Sequence, residues 1–280
     1  MKKEIFLCSI SNIVSGTCLE DCKFCTQSVR YGAEIDRYSK KEIDLIVQEA
    51  KRADSIGALG FCLVTAGKGL NSKTLDYMLE VTEAVSREVP KLNLIACNGT
   101  ATINQLKELK KAGISSYNHN LETGRDFYKN ICSTHTWDER YETCQNVTDV
   151  GLKLCTGGIF GMGESEKDRE SFLDSIASLN PESVPFNFYH HNSALPLKPN
   201  PLNIEEGLSL IRRGRELLGE NKRLMVAGGR ESFFKNRWVE IFEAGANSIV
   251  VGDYLTVAGD PIHKDIEKLK ENGYEIANRC

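Results

Sequence analysis

The chain has 280 residues, 41% hydrophobic and 26% charged, with seven prolines and 23 glycines. This composition excludes collagen-like and low-complexity polymers, and the length suits one α/β barrel of about 250 residues better than the usual domain of about 100–200. A formal net charge of −4 leaves no lysine and arginine excess for neutralising phosphates, so a nucleic-acid partner is not expected.

The opening segment MKKEIFLCSISN lacks the continuous apolar region of a secretory signal. No later stretch approaches the ~20 apolar residues of a membrane span, so a cytoplasmic protein without a membrane partner is expected. Short apolar runs alternate with helical patterns along the whole chain, with no linker or composition break, which predicts one domain over residues 1–280. The runs are 5–13, 60–65, 92–97, 115–121, 152–160, 184–189, 224–227 and 248–252, giving eight predicted strands. Between them lie helical patterns near 40–56, 73–89, 102–112, 137–150, 166–179, 205–218 and 231–244. Gly57, Gly113, Gly151 and Gly245 stand where a left-handed residue ends a helix. Repeated βα units imply parallel strands and right-handed crossovers. Eight of them predict an α/β fold, a TIM-type (βα)8 barrel with its chemistry at the strand C-terminal ends. An open doubly wound sheet is the alternative.

Just after the first run, TCLEDCKFCTQS places Cys18, Cys22 and Cys25 in a C-x3-C-x2-C spacing. Three loop thiolates can hold one face of a cubane iron–sulfur cluster and leave one iron open, whereas structural zinc takes four protein ligands. Spacing alone leaves open a zinc site that borrows a further cysteine. Among the ten cysteines, three more lie on predicted strands: Cys62 in GFCLVTAG, Cys97 in LIACNGT and Cys155 in LKLCTGGI. Strand side chains alternate, so Cys62 shares a face with Val64 and Ala66, Cys97 with Ile95, and Cys155 with Gly157. All three are able to point inward, and Arg230, at the end of the seventh run, can reach the same interior. A second metal site and three buried packing cysteines are both open on the residues alone.

The fourth run continues into YNHNLET, which puts Asn118, Asn120 and Glu122 on one face. Barrel interiors are normally filled by branched apolar residues, so two amides and a carboxylate there point to a ligand pocket, a buried hydrogen-bond network being the other reading. Gly157, Gly158, Gly161 and Gly163 do not form the ordered dinucleotide fingerprint. His190 and His191 are adjacent and point apart in an extended chain. Cys8, Cys132, Cys144 and Cys280 read as packing or surface thiols.

The cysteine loop resembles that of the radical S-adenosylmethionine (SAM) superfamily. Together with YNHNLET, CTGGIFGMGE, ESVPFN and AGANSIVVGD, it makes residues 10–273 similar to the biotin synthase family. The resemblance implies a radical SAM fold in which Cys18, Cys22 and Cys25 hold a 4Fe-4S cluster whose open iron binds SAM. It implies that Phe24, Asn120, Glu122, Arg140 and Gly157 contact SAM, and that Asn118, Asn120 and Asn187 contact dethiobiotin. It further implies a 2Fe-2S cluster on Cys62, Cys97, Cys155 and Arg230 that supplies sulfur to a substrate radical made by 5'-deoxyadenosyl. An electron donor such as flavodoxin or ferredoxin and a homodimer follow from the same likeness. A guanidinium has no free acceptor, so the residue chemistry alone reads Arg230 as an ion-pair partner or a donor to cluster sulfides. Three positions depart from the family pattern. Glu122 stands where many members carry aspartate, Gly60 where many carry arginine, and the loop 191–202 is unlike the usual form.

Overall fold

A computed structural model describes residues 4–198 and 202–279. In chain order its elements are β1 (Glu4–Val14), α1 (Ile43–Ser55), β2 (Gly60–Thr65), α2 (Ser72–Glu88), β3 (Asn93–Cys97), α3 (Ile103–Ala112) and β4 (Ser116–Asn118). The short α4 (Arg125–Tyr128) and α5 (Trp137–Asp149) precede β5 (Lys153–Cys155), β6 (Gly158–Phe160), α6 (Glu166–Leu179), β7 (Ser183–Phe188), α7 (Ile204–Leu218) and β8 (Arg223–Val226). The chain ends with α8 (Arg230–Phe234), α9 (Glu240–Glu243), β9 (Ser248–Val250), α10 (Ile262–Glu271) and β10 (Glu275–Ile276). Cys280 and residues 199–201 of the proline-containing loop lie outside the described residues.

The strands follow the order β1-β2-β3-β4-β5-β7-β8-β9, and β9 pairs back onto β1. All these pairings are parallel, so the result is the closed barrel rather than the open sheet. Alternation then sorts side chains between two environments. Phe61 and Leu63 of β2 are fully buried against the helical layer with Ile46, Ala50, Met78 and Val81. Cys62 and Val64 from the same strand line the barrel interior. The helices are started by side chains: Asn71, Thr102, Thr136, Ser165 and Asn203 each form a reciprocal capping box at α2, α3, α5, α6 and α7, satisfying otherwise unpaired backbone donors. Gly57, Gly113, Gly151 and Gly245 all have positive φ, as their places after helices predicted.

Besides the unpredicted short α4 and a fourth strand that stops at Asn118, the elements depart from expectation in three places. The run 152–160 is two strands, because Pro185 on β7 has no N–H to give the ladder and its carbonyl sits where a Cβ of Gly157 would be. The pattern 231–244 is not one helix: Lys235 has a φ of 53°, and α8 and α9 are separate short pieces on either side of a 3-10 turn. A further helix and strand, α10 and β10, close the chain, with β10 pairing to the start of β1.

Between β6, β7 and α6, Phe160 packs edge-on against Phe172 at 5.6 Å and Phe186 at 4.9 Å between ring centroids. Truncating Phe160→Ala is expected to cost about 3–5 kcal/mol in urea unfolding, the range for losing a buried aromatic ring. A cost under about 1 kcal/mol would show that this cluster does not hold β6 in the barrel.

Candidate active site

The loop from Ser15 to Tyr38 crosses the C-terminal mouth of the barrel. Gly16 turns it with a φ of 65°, and Cys18 N–H donates to Gln27 O at 3.2 Å while Val29 N–H donates to Cys18 O at 2.8 Å. Asp21 ties the loop to the segment before α5, accepting from Ser133 N at 2.9 Å and Thr134 N at 3.1 Å. Burial pushes the Asp21 carboxyl up, but the hydrogen bonds from Ser133 and Thr134 outweigh it and hold it well below the usual range. These contacts bring Cys18, Cys22 and Cys25 together at one turn. Burial raises Cys18 and pushes Cys25 up to about 12. Cys22 is raised first by its hydrogen bond with Cys132 and then by burial. Three thiols that resist ionisation unless a cation joins them are a donor set suited to an iron–sulfur cluster.

Below the loop lies a cavity of about 500 Å³, within the usual size for a small-molecule site. Phe24 and Cys25 look into it from the loop, and Cys62, Cys97 and Cys155 from three barrel strands. Cys62 hydrogen-bonds to Cys97; this contact, ahead of burial, raises Cys62 and lowers Cys97. Burial pushes Cys155 up to about 12. Asn118 Nδ2 donates to Cys97 Sγ at 3.3 Å.

Asn118, Asn120 and Glu122 also face the cavity. The chain leaves β4 after Asn118 and reaches Glu122 in a left-handed conformation with φ 70°. That geometry lets Glu122 N–H donate to Gly157 O at 3.2 Å while Ile159 N–H donates to Glu122 O at 2.8 Å. Asn118 Oδ1, Asn120 Oδ1 and Glu122 Oε2 are buried without a protein partner. Such atoms are costly to bury unless something accepts or donates to them, so this wall is built for a polar ligand. Burial raises Glu122, partly countered by Arg140, whose Nη1 lies 3.6 Å from Glu122 Oε1. Arg140 stands behind the wall rather than on it: Nη1 donates to Asn120 O at 2.7 Å and Nε to Tyr128 Oη at 2.7 Å.

Other predicted residues fall differently. Asn187 lines the cavity, yet its amide already spans Gly158 O at 3.0 Å and Gly228 N at 2.8 Å. Gly157 is not brought to the cavity; its missing side chain makes room for the Pro185 carbonyl, 1.9 Å from where a Cβ would lie. Arg230 is also turned away. It begins α8 rather than ending a strand, and its fully buried guanidinium pairs with Asp265 at 2.6 Å and Glu231 at 2.6 Å and lies 4.2 Å from the Trp238 ring. These ion pairs engage both terminal nitrogens, leave Nε without a partner and hold the cation away from the cavity lining, in keeping with the simpler chemical reading of that residue. His190 lines the mouth while His191 lies edge-on to Tyr189 at 6.4 Å between centroids. Cys132 and Cys144 are buried beside His135 and His119.

Among the residues that the sequence reading did not assign to the site, Cys8, Gln27 and Tyr254 line the cavity, and Asn12 donates to the carbonyl of the lining residue Leu255. Cys8, read as a packing thiol, faces the cavity. Asn12 Oδ1 and Gln27 Nε2 are buried without a protein partner. The alternation rule applied to β1 as it was to the other strands would have found Cys8 and Asn12.

Residues 12–176 match the model of the radical SAM superfamily, and residues 185–275 that of the biotin and thiamin synthesis associated domain. The chain is 60% identical over 278 residues to a biotin synthase of Sulfurimonas denitrificans, covering 99% of both chains. It is 61% identical over 279 residues to a biotin synthase of Sulfurovum sp., covering 100% of this chain and 98% of the relative. Among solved structures, methylornithine synthase superposes with a TM-score of 0.82 at 18% identity, covering 98% of this chain and 84% of that one. That last likeness is one of fold.

Because folding raises the Glu122 pKa, its contribution to stability is fully present below the unfolded value of about 4.3 and is lost as pH rises through the folded value. Glu122→Gln removes this titration. The change in unfolding free energy from pH 4 to pH 7, measured in urea, should therefore be more favourable in the variant than in the unsubstituted chain. An equal or less favourable change would contradict the raised pKa.

Proposed function

The chain belongs to the radical SAM superfamily and, within it, to the biotin synthases, and from that premise we propose how its own residues divide the work of converting dethiobiotin to biotin. It is an enzyme of the sulfurtransferase class, and membership carries a 4Fe-4S cluster and SAM. When bound, these groups supply a carbon radical able to remove hydrogen from an unactivated C–H bond, and a second cluster supplies the sulfur.

Cys18, Cys22 and Cys25 hold the first cluster, with Phe24 beside the SAM adenine. Glu122 and Asn120 accept from and donate to SAM hydroxyls and amine, and Arg140 sets the position of both while its charge offsets nearby thiolates. Asn118 and Asn120 fix the ureido group of dethiobiotin, and Asn187 braces the neighbouring backbone and closes the substrate side. Cys62, Cys97 and Cys155 hold the second cluster, a 2Fe-2S centre. The observation that carries this reading is a single cavity with Cys25 at its mouth, the Cys62, Cys97 and Cys155 thiols among those on its wall, and unpartnered amide oxygens close by. The apolar remainder of the wall excludes water from a reactive radical. The whole chain acts as one catalytic domain, a view supported by β6 pairing with β7, which joins the two matched regions, and by β9 closing the barrel onto β1. No helix among the described residues is long and apolar enough to cross a membrane. A small soluble one-electron donor such as flavodoxin or ferredoxin and a homodimeric state complete the proposal.

The test is anaerobic turnover of the reconstituted chain with SAM, reductant and dethiobiotin, following deoxyadenosine and biotin by mass spectrometry. Cys25→Ala should lower both by more than about 100-fold, exceeding the ~10–100-fold effects of outer-shell partners. Cys155→Ala should keep deoxyadenosine formation and lose biotin to a similar extent. Biotin formation at the unsubstituted rate in Cys155→Ala would remove this residue from the sulfur-donating site.

A further inference from the structure

With Arg230 held away from the cavity lining, we infer that Cys8 is the fourth protein ligand of the second cluster, which is then held by thiolates from β1, β2, β3 and β5. The inference rests on the two-cluster reading above and concerns only who completes the second set. Cys8 is buried and lines the same cavity as Cys62, Cys97 and Cys155. On β1 it sits between Val250 of β9 and Gly60 of β2.

Gly60 explains how the sulfur gets there. A Cβ at Gly60 would stand 3.1 Å from Cys8 Sγ and 3.1 Å from Ile95 Cδ1, so the absent side chain is the space these groups use.

The neighbours leave few other donors. Met225, Ala227 and Val250 pack around Cys8, and of these only the Met225 thioether could bind iron, as a neutral donor weaker than thiolate. Arg223 lies over the Phe6 ring at 4.9 Å and 3.9 Å from Glu182, a cation already placed at the barrel floor. Four cysteines are the ordinary ligand set of a 2Fe-2S cluster. Binding displaces the Cys8 thiol proton to solvent and needs no oxidant or reductant.

Cys8→Ala and Cys8→Ser are made in the full chain and reconstituted anaerobically with iron and sulfide. Iron and acid-labile sulfide per chain, Mössbauer spectra and thermal melts of the metal-free proteins are read alongside deoxyadenosine formation. Cys8→Ala should weaken retention of the second cluster at least about tenfold in a chelator challenge, with the first cluster and deoxyadenosine formation preserved. Cys8→Ser should retain the second cluster with a shifted iron doublet, because an oxygen donor replaces sulfur while the side-chain volume is kept. If Cys8→Ala holds the second cluster with unaltered stoichiometry, retention and spectrum, the ligand assignment is overturned and the two-cluster reading stands. If the unsubstituted chain takes up only the first cluster, both are overturned.

Discussion

Closure of the sheet, by the pairing of Phe6, Leu7 and Cys8 on β1 with Ser248, Ile249 and Val250 on β9, is the constraint from which the site follows. A strand exposes alternate side chains to opposite faces whatever the sheet's shape. Only when the sheet closes do the inward faces of distant segments meet across one space. Cys8, Cys62, Cys97 and Cys155 then share a cavity although 147 positions separate the first from the last. The outward faces carry the ordinary core, with Leu7, Phe61, Leu63, Leu94 and Ala96 buried under the helices. Stability and chemistry are thereby assigned to opposite sides of the same strands.

Polar groups reach the interior from regular strands, as at Asn118 and Asn187, and also where the chain leaves strand geometry. β4 stops after Asn118, and the left-handed turn at Glu122 carries its carboxylate into the cavity while its backbone stays bonded to Gly157 and Ile159. A non-glycine residue at positive φ costs free energy and persists only when its surroundings hold it. Here the two flanking backbone bonds and the Arg140 contact do so. Glycine serves the same region differently, since Gly157 and Gly158 let backbone carbonyls of Pro185 and Glu122 approach where a Cβ would collide. These two glycines are the means by which a broken strand still packs in a barrel.

Charge is distributed with equal economy. Arg140 faces Glu122 and the cysteine loop from behind, so its charge reaches several acidic groups without occupying the cavity. Arg230, by contrast, is consumed by Asp265, Glu231 and the Trp238 ring. Both arginines lie next to site segments in sequence, and nothing in their immediate neighbours distinguishes them. Their roles separate because a buried guanidinium must be paired, and beside the adjacent Glu231 the second partner of Arg230, Asp265, comes from α10, 35 residues downstream.

The repeating strand and helix pattern, the glycine stops and the C-x3-C-x2-C loop were legible in the linear chain because each is local: alternation, capping and ligand spacing all act within a few residues. The inward direction of Cys62, Cys97 and Cys155 was legible too, once a barrel was assumed. Tertiary structure alone decided that the run 152–160 breaks opposite Pro185, that 231–244 is not one helix, and that Gly157 and Arg230 serve packing and ion pairing instead of facing the cavity. The inward face of Cys8 follows from alternation on β1, whereas the room its sulfur finds beside Gly60 on the next strand was again a tertiary matter. Each of these outcomes depends on which backbone or side chain arrives from a remote part of the chain, a matter of space and pairing that no local sequence pattern encodes.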